Sequence, residues 1–96
     1  MRKDFIDVYD LVLDRWGVDS QNRMCIEEMS ELTKELCKLE RYKGSDKEDG
    51  IIDNICEELA DVINMVEQLE RYYGEEKIES IRKSKIDRLM NNHFSD

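Results

Sequence analysis

The side chains in this sequence that could do chemistry are four carboxylates, which form two pairs of equal spacing. Glu28 and Glu31 are three positions apart, and Glu58 and Asp61 repeat that spacing. Residues i and i+3 lie on one face of a helix, so each pair directs two carboxylates the same way. If the two helices were antiparallel neighbours, the four acids could converge, and they would repel strongly unless a cation joined them. Oxygen ligands without His or Cys favour Mg²⁺, Mn²⁺ or Ca²⁺ over zinc, and an open Mg²⁺ site is typical of phosphate chemistry.

The two pairs differ from an ordinary acidic surface in the placement of their first members. Glu58 lies between Ile55 and Val62 in helical projection, and Glu28 lies at the apolar stripe of its own helix in the same way. A carboxylate directed toward a core must be protonated, paired or bound to a cation. An i, i+3 acidic pair nevertheless usually lies on a solvated helix face, and the spacing alone leaves both a metal site and a solvated face open.

Four helices must position these acids, and apolar residues recurring at steps of three and four predict each of them. Gly17, Gly44 and Gly74 are expected to end the first three, because a glycine just past the last turn commonly terminates a helix. Asp19 or Ser20 is expected to cap the second helix. The predicted helices are about Lys3–Trp16, Gln21–Tyr42, Ile51–Tyr73 and Glu76–Asn91, followed by a frayed tail, Asn92–Asp96.

The third helix carries apolar residues on two sides. A helix apolar on two sides is buried on two sides, whereas a lone four-helix bundle covers one stripe per helix. The chain is therefore expected to be a single domain, residues 1–96, with an all-α four-helix bundle completed by homo-oligomerisation through the third helix. Its main stripe is Ile52, Ile55, Leu59, Val62, Val66 and Leu69, and its second side includes Ile51, Ile63 and Met65.

Composition excludes several classes of function. With 96 residues, 41% charged side chains and no proline, the chain fits a small helical domain. A net charge of −9 argues against binding nucleic acid and against docking on anionic membranes. No apolar run approaches the roughly 18 residues of a membrane span, and the first residues are not a signal peptide, so a cytoplasmic protein is expected. Cys25, Cys37 and Cys56 are expected to be buried free thiols.

Ligand chemistry excludes two other metal sites. The loop before the third helix would be a calcium loop only with Gly50 at the sixth position, and Lys47 and Cys56 would then stand where oxygen ligands are needed. A ferritin-like di-iron bundle needs two Glu-x-x-His pairs, and the sequence has one histidine, His93.

The order of the acids along the chain is informative as well. Glu27-Glu28-Met-Ser-Glu31, followed by Glu58-Leu-Ala-Asp61, resembles the Glu-Glu-x-x-Glu … Glu-x-x-Asp signature of the MazG-like, all-α NTP pyrophosphohydrolases. The flanks are similar too, over roughly residues 10–90. They are Trp16-Gly-Val-Asp-Ser-Gln, Asp61-Val-Ile-Asn-Met-Val-Glu-Gln-Leu and Lys85-Ile-Asp-Arg88-Leu.

This resemblance implies an activity, a metal site and an assembly. Members of the family hydrolyse nucleoside triphosphates between the α and β phosphates, with a metal-activated water, to a monophosphate and pyrophosphate. At the matching positions, Glu28, Glu31, Glu58 and Asp61 would be the ligands of Mg²⁺, for which Mn²⁺ could substitute. Glu27 would support these ligands or orient water. The family forms homodimers or homotetramers, in agreement with the two-sided third helix.

The resemblance says less about the residues that hold the substrate. Lys85 matches a basic residue that the family places near the phosphates, and Arg88 is a weaker match. Asn64 could contact the nucleotide, although a plain helix surface explains all three residues as well. Trp16 could stack on a base, but a core position is the expected one. Met65 stands where some relatives have a base-stacking aromatic, so the preferred base is not specified.

A second hypothesis is a non-catalytic helical oligomerisation or interaction module that keeps the fold. Such a degenerate copy would tend to lose the carboxylates. All four are intact here, which makes the enzyme the preferred interpretation.

Overall fold

The structure, a computed structural model, describes residues 2–94 and confirms an all-α chain with four α-helices. A short 3₁₀ turn, Lys3–Phe5, leads into the first helix. The helices are α1 (Ile6–Trp16), α2 (Val18–Tyr42), α3 (Glu48–Tyr73) and α4 (Glu75–His93). No helix among residues 2–94 combines the length and apolar content that crossing a membrane requires.

Gly17 and Gly74 end α1 and α3 as predicted, whereas Lys43 follows the last residue of α2 and Gly44 stands one position further on. Gly17 and Gly74 have φ angles of 82° and 133°, values that side chains with a Cβ rarely adopt. The Gly17 N–H donates to the Leu13 carbonyl and the Gly74 N–H to the Glu70 carbonyl, both at 2.9 Å, so each glycine caps the helix before it.

Three predicted boundaries are wrong. Neither Asp19 nor Ser20 caps α2, because that helix begins at Val18 directly after Gly17 and has no side-chain cap. The third helix starts at Glu48 rather than Ile51, since Glu48 and Asp49 favour a helix N-terminus. Asn92 and His93 are helical rather than frayed, and the rest of the predicted frayed tail beyond residue 94 lies outside the described residues.

The most extensive packing in the chain is between α2 and α3, which are antiparallel. Gln21, near the start of α2, meets Gln68 late in α3, while Glu35, further along α2, meets Asn54 early in α3. The core between the helices is small. Among the described residues, the buried apolar side chains are Tyr9, Cys25, Ile51 and Ile55.

Polar contacts fasten α1 to α3. The Tyr9 hydroxyl donates to a Glu67 carboxylate oxygen at 3.1 Å, and burial together with this carboxylate raises the pKa of Tyr9 to about 12. The Arg71 guanidinium donates twice to Asp10, at 3.0 and 3.1 Å, and these hydrogen bonds, together with the positive charge, lower the pKa of that carboxyl.

The fourth helix does not close a bundle within the chain. Among residues 2–94, α4 makes backbone contacts with α3 and with neither α1 nor α2, and it has no buried residue. The radius of gyration is 16.7 Å, whereas a compact domain of this length has a value of about 13 Å. The chain is therefore a three-helix unit with α4 extending from one end.

Several predicted core residues are exposed, because periodicity does not say which face meets a neighbour. The buried apolar residues of α3 are Ile51 and Ile55, whereas three members of the predicted main stripe, Ile52, Leu59 and Val66, are exposed. Trp16 is exposed, contrary to the expected core position. Of the three cysteines, only Cys25 is buried, so the prediction of buried thiols is wrong for Cys37 and Cys56.

Candidate metal centre

Three of the four predicted ligands come together between α2 and α3. Glu28, Glu58 and Asp61 each offer one carboxylate oxygen, and these oxygens lie within 4.8 Å of one another. Glu28 and Glu58 are half-buried, whereas Asp61 is exposed. A cluster of this kind, closed on one side and open to solvent on the other, can admit a cation together with a larger ligand.

The antiparallel register of α2 and α3 explains why these acids meet. The Gln21–Gln68 and Glu35–Asn54 contacts define one common register for the two helices. The same register sets Glu28 opposite Asp61 and Glu31 opposite Glu58. The acidic pair on each helix therefore faces the acidic pair on the other helix. This arrangement could be predicted from the sequence only if α2 and α3 were assumed to pair.

The acids of the cluster destabilise one another's charges. Burial raises the pKa of Glu28, and the nearby charges of Asp61 and Glu58 raise it further. Burial is also the largest cause of the raised pKa of Glu58, and the charges of Asp61 and Glu31 raise it further. One oxygen of Glu58, Oε2, is buried without a hydrogen-bond partner among the described residues. A proton or a cation would relieve both the repulsion and the missing contact.

Glu31 and Glu27 stand apart from the close group. Glu31 is exposed and is not one of the three convergent acids, although its charge contributes to the raised pKa of both Glu28 and Glu58. Glu27 is exposed at the preceding position of α2. A fourth ligand from Glu31 would therefore require its side chain to move toward the cluster.

Sequence reasoning missed the polar contacts that bracket the cluster. Gln68 Nε2 donates to Gln21 Oε1 at 2.7 Å, and both side chains are buried. On the other side of the acids, Asn54 Nδ2 donates to Glu35 Oε1 at 2.9 Å.

Glu35 is the most buried acid of this interface. It is 7% exposed, and Lys38 Nζ lies 3.2 Å from its second oxygen, Oε2. The hydrogen bond from Asn54 and the contact with Lys38 lower its pKa, so Glu35 carries a stabilised charge, unlike Glu28 and Glu58. A seven-residue spacing in the sequence could have indicated these polar contacts. Polar residues stand at 21, 28 and 35 on α2 and at 54, 61 and 68 on α3.

The basic residues assigned to the substrate are not beside the acids of their own chain. Lys85 and Arg88 are exposed on α4, which makes no backbone contact with α2 among the described residues. The structure thus separates these two candidates from Glu28.

Asn64 lies closer to the cluster, one helical turn past Asp61. It lines an open cavity of about 350 Å³ between α1 and α3. The lining is mainly apolar and aromatic, with two amide side chains, and Met65 forms part of it in place of an aromatic. The lining residues are Phe5, Val8, Tyr9, Asn64, Met65 and Gln68.

Comparisons with models of known families, with curated proteins and with solved structures give no match for this chain. The resemblance to the MazG-like family therefore stays a prediction from the sequence, and the geometry of the acids has to support any function independently.

Proposed function

We propose that this chain is a Mg²⁺-dependent nucleoside triphosphate pyrophosphohydrolase of the MazG-like kind. The observation that carries the proposal is the convergence of Glu28, Glu58 and Asp61 within 4.8 Å at a helix–helix interface. Structural acids are normally spread apart or paired with basic residues, because close carboxylates cost free energy. A functional ligand explains why this interface keeps them together.

The donor set fits a hard divalent cation. The cluster offers carboxylate oxygens only, without nitrogen or sulfur, and this is the ligand type of Mg²⁺ and Mn²⁺. Glu58 Oε2, buried and without a hydrogen-bond partner among residues 2–94, is an atom that a cation would stabilise. Glu28, Glu58 and Asp61 would hold the ion, with Glu31 joining from the adjacent turn of α2. When bound, the ion would offset charge on the phosphates and activate the attacking water.

The chain's own residues have distinct tasks in this proposal. Asp61 lies on the exposed side of the cluster, where the triphosphate would enter. Glu27, also exposed, would orient water beside Glu28. The Glu35–Asn54 contact holds α2 and α3 in register one turn away, so that the carboxylates stay at a fixed separation.

The cavity beside Asn64 would receive the nucleoside. Its volume of about 350 Å³ is within the usual range for small-molecule sites, and its apolar lining suits a planar base. The Asn64 amide would contact polar groups of the base or sugar. Lys85 and Arg88 would bind phosphate oxygens, and because α4 lies away from α2 they would do so in an assembled homodimer or homotetramer.

Pyrophosphate release tests the proposal directly. Purified chain should convert members of a panel of NTPs and dNTPs to the monophosphate and pyrophosphate with Mg²⁺ or Mn²⁺, and not after removal of divalent ions with EDTA. Release of inorganic phosphate in place of pyrophosphate would contradict the cleavage position. No turnover of any triphosphate, under conditions in which the helical content is intact, would contradict the enzyme.

A non-catalytic helical interaction module is the second candidate, and the exposed apolar residues of α1, α3 and α4 favour it. The two candidates differ in their response to metal. The enzyme needs the cation for turnover, whereas a module of this kind would assemble equally well with EDTA and would turn over no triphosphate.

A further inference from the structure

Lys38 is a positioned cation near the acidic cluster. Its ammonium nitrogen, Nζ, lies 3.2 Å from Oε2 of Glu35, three positions earlier on α2. Glu35 is held in turn by the Asn54 amide, which donates to its other oxygen at 2.9 Å. Glu35 is buried, whereas the Lys38 side chain is 39% exposed. A buried acid therefore anchors a lysine that still faces solvent.

Lys38 lies on the side of the α2–α3 pair where the cluster is open. Glu31 and Lys38 are seven positions apart on α2, which is close to two turns, so their side chains leave the same face of that helix. Asn54 and Asp61 repeat this spacing on α3. Because Asn54 reaches Glu35, beside Lys38, the two faces border the same side of the helix pair.

The ammonium group is close enough to the cluster for one polyphosphate chain to reach both. An α-helix rises about 5.4 Å per turn, and its side chains tilt toward its N-terminus. On α2 that direction leads from Lys38 back toward the acids, and Nζ lies beside Glu35, one turn past Glu31. A triphosphate bound to a metal ion in the cluster can therefore extend to Lys38.

The charge of the cluster explains why a further cation is needed. A divalent ion offsets two negative charges, whereas the three convergent carboxylates carry up to three and a triphosphate adds more. Lys38 stands on the same pair of helices as these acids. A lysine ammonium has three N–H donors, and Glu35 takes one of them, so a phosphate oxygen can bind without breaking the ion pair.

We propose that Lys38, positioned by Glu35, binds the pyrophosphate end of the substrate, its β- and γ-phosphates. This inference rests on the proposed function and adds the direction in which the substrate lies. The nucleoside occupies the cavity beside Asn64 at the α1 end, the α-phosphate lies at the metal, and the remaining phosphates point along α2. Triphosphates are then preferred over shorter phosphate chains, and inorganic pyrophosphate inhibits turnover by competing for Lys38.

Isothermal titration calorimetry with inorganic pyrophosphate and Mg²⁺ tests the role of Lys38 without turnover. Lys38→Met keeps an unbranched side chain and removes the charge, and it should weaken pyrophosphate binding at least about tenfold. The affinity for nucleoside monophosphates should stay within about threefold of wild type, because they have no phosphate at Lys38. Lys38→Arg keeps a charged donor and should retain pyrophosphate binding.

Lys83→Met is the matched control. Lys83 also forms an ion pair with an acid of its own helix, Asp87, at 3.0 Å, but it lies on α4. Its replacement removes the same charge and should leave pyrophosphate binding within about threefold of wild type. Circular dichroism checks the helical content of each variant.

Lysine labelling of the unmodified protein gives a second test, which decides if Lys38→Met does not fold. With Mg²⁺ and pyrophosphate at about tenfold above its Kd, acetylation of Lys38 by acetic anhydride should slow about tenfold. Lys83 should react at an unchanged rate, and mass spectrometry of the peptides identifies each site. Equal rates for Lys38 with and without pyrophosphate would overturn the inference.

Failure of this inference and failure of the proposed function give different results. Triphosphate turnover together with pyrophosphate binding that Lys38→Met leaves unchanged overturns the role of Lys38 alone. Absence of turnover, with pyrophosphate binding that depends on Lys38, overturns the enzyme and supports the phosphate site. Equal losses of pyrophosphate and monophosphate affinity in Lys38→Met would mean that Lys38 only supports the fold. Wild type that binds no pyrophosphate also contradicts the inference.

Discussion

At the scale of single residues, Glu58 carries its negative charge in an unfavourable environment. One of its oxygens has no hydrogen-bond partner among the described residues. Burial raises its pKa, and the charges of neighbouring acids raise it further. A side chain in this position either weakens the fold without benefit or is kept for a ligand. The activity and the melting temperature of a Glu58 variant distinguish these two explanations.

Glu58→Gln should lower the rate of Mg²⁺-dependent pyrophosphate release by at least about 100-fold, because the change removes a charged ligand while keeping its shape. Kinetics at saturating Mg²⁺ would show this. Glu57→Gln is the control: it makes the same chemical change at the exposed neighbouring position and should keep activity within about threefold of wild type.

The melting temperature without metal adds an independent check on Glu58. Gln carries no charge, so the variant should melt no lower than wild type in EDTA, since one repelling charge is gone from the cluster. Undiminished turnover by Glu58→Gln would remove Glu58 from the metal site.

At the scale of helices, the pairing of α2 with α3 is set by one buried and one partly buried polar contact as well as by apolar packing. Gln21 and Gln68 form a buried amide pair, and Asn54 reaches Glu35 on the other side of the acids. Apolar side chains tolerate sliding, whereas a hydrogen bond between buried groups is lost when the helices shift. These contacts therefore fix which acids face each other.

Replacing both members of the glutamine pair should cost less than the sum of the two single replacements. Gln68→Met leaves the Gln21 amide buried without its partner, for an expected loss of about 1–3 kcal/mol in unfolding free energy. In the double variant with Gln21→Met no amide is left unpaired, so the loss should be smaller than the sum of the two single losses. A double-mutant cycle by urea unfolding measures this coupling. Additive losses would show that the hydrogen bond between the two side-chain amides does not stabilise the pairing of α2 with α3.

Asn54→Ala should destabilise the protein in a pH-dependent way. The Asn54 amide, with Lys38, holds the pKa of Glu35 below its ordinary value of 4.5. A lowered carboxyl pKa contributes stability above the ordinary value, and that contribution is lost as pH falls through the lowered one. The variant should therefore melt below wild type at pH 6–7, and the difference should shrink as pH falls from about 5 toward 3.

Thermal melts across this pH range test the role of Asn54. Asn92→Ala, an exposed change on α4, is the control and should leave the melting temperature unchanged at each pH. A difference for Asn54→Ala that persists unchanged at low pH would mean that the amide acts through packing rather than through the charge of Glu35.

At the scale of the whole molecule, the single chain is open. It measures 46 × 43 × 23 Å. Among its described residues it buries four apolar side chains, and α4 makes backbone contacts with α3 but not with α1 or α2. A core of this size provides little stabilisation against the conformational entropy of about 96 residues. Association is the usual remedy for a small domain with exposed apolar helices.

The melting temperature should accordingly rise with protein concentration. If folding and association are coupled, each tenfold increase in concentration adds about 1.4 kcal/mol to the stability of the assembled state. Differential scanning calorimetry at three concentrations spanning a hundredfold range measures the shift. Ile63→Glu, which puts a charge on the exposed apolar side of α3, should abolish it. A melting temperature independent of concentration, together with a monomeric mass, would mean that the open chain is stable alone.

The sequence by itself determined the elements of this protein. Helical periodicity and Gly17 and Gly74 depend on contacts within a few residues, so the four helices and two of their ends could be predicted. The candidate acids could be named for the same reason, because i, i+3 spacing on a helix is a local property. The start of α3 at Glu48 was missed, since polar residues in a first turn resemble those of a loop.

Only the tertiary structure decided which helix faces meet and which acids converge. Ile51 and Ile52 are adjacent and equally apolar, yet the first is buried and the second exposed, because burial depends on the angle at which α2 approaches α3. The same approach brings Glu28 to Glu58 and Asp61 but leaves Glu31 outside the close group. The pairing of distant segments depends on packing and on contacts such as Gln21–Gln68, which local periodicity does not encode.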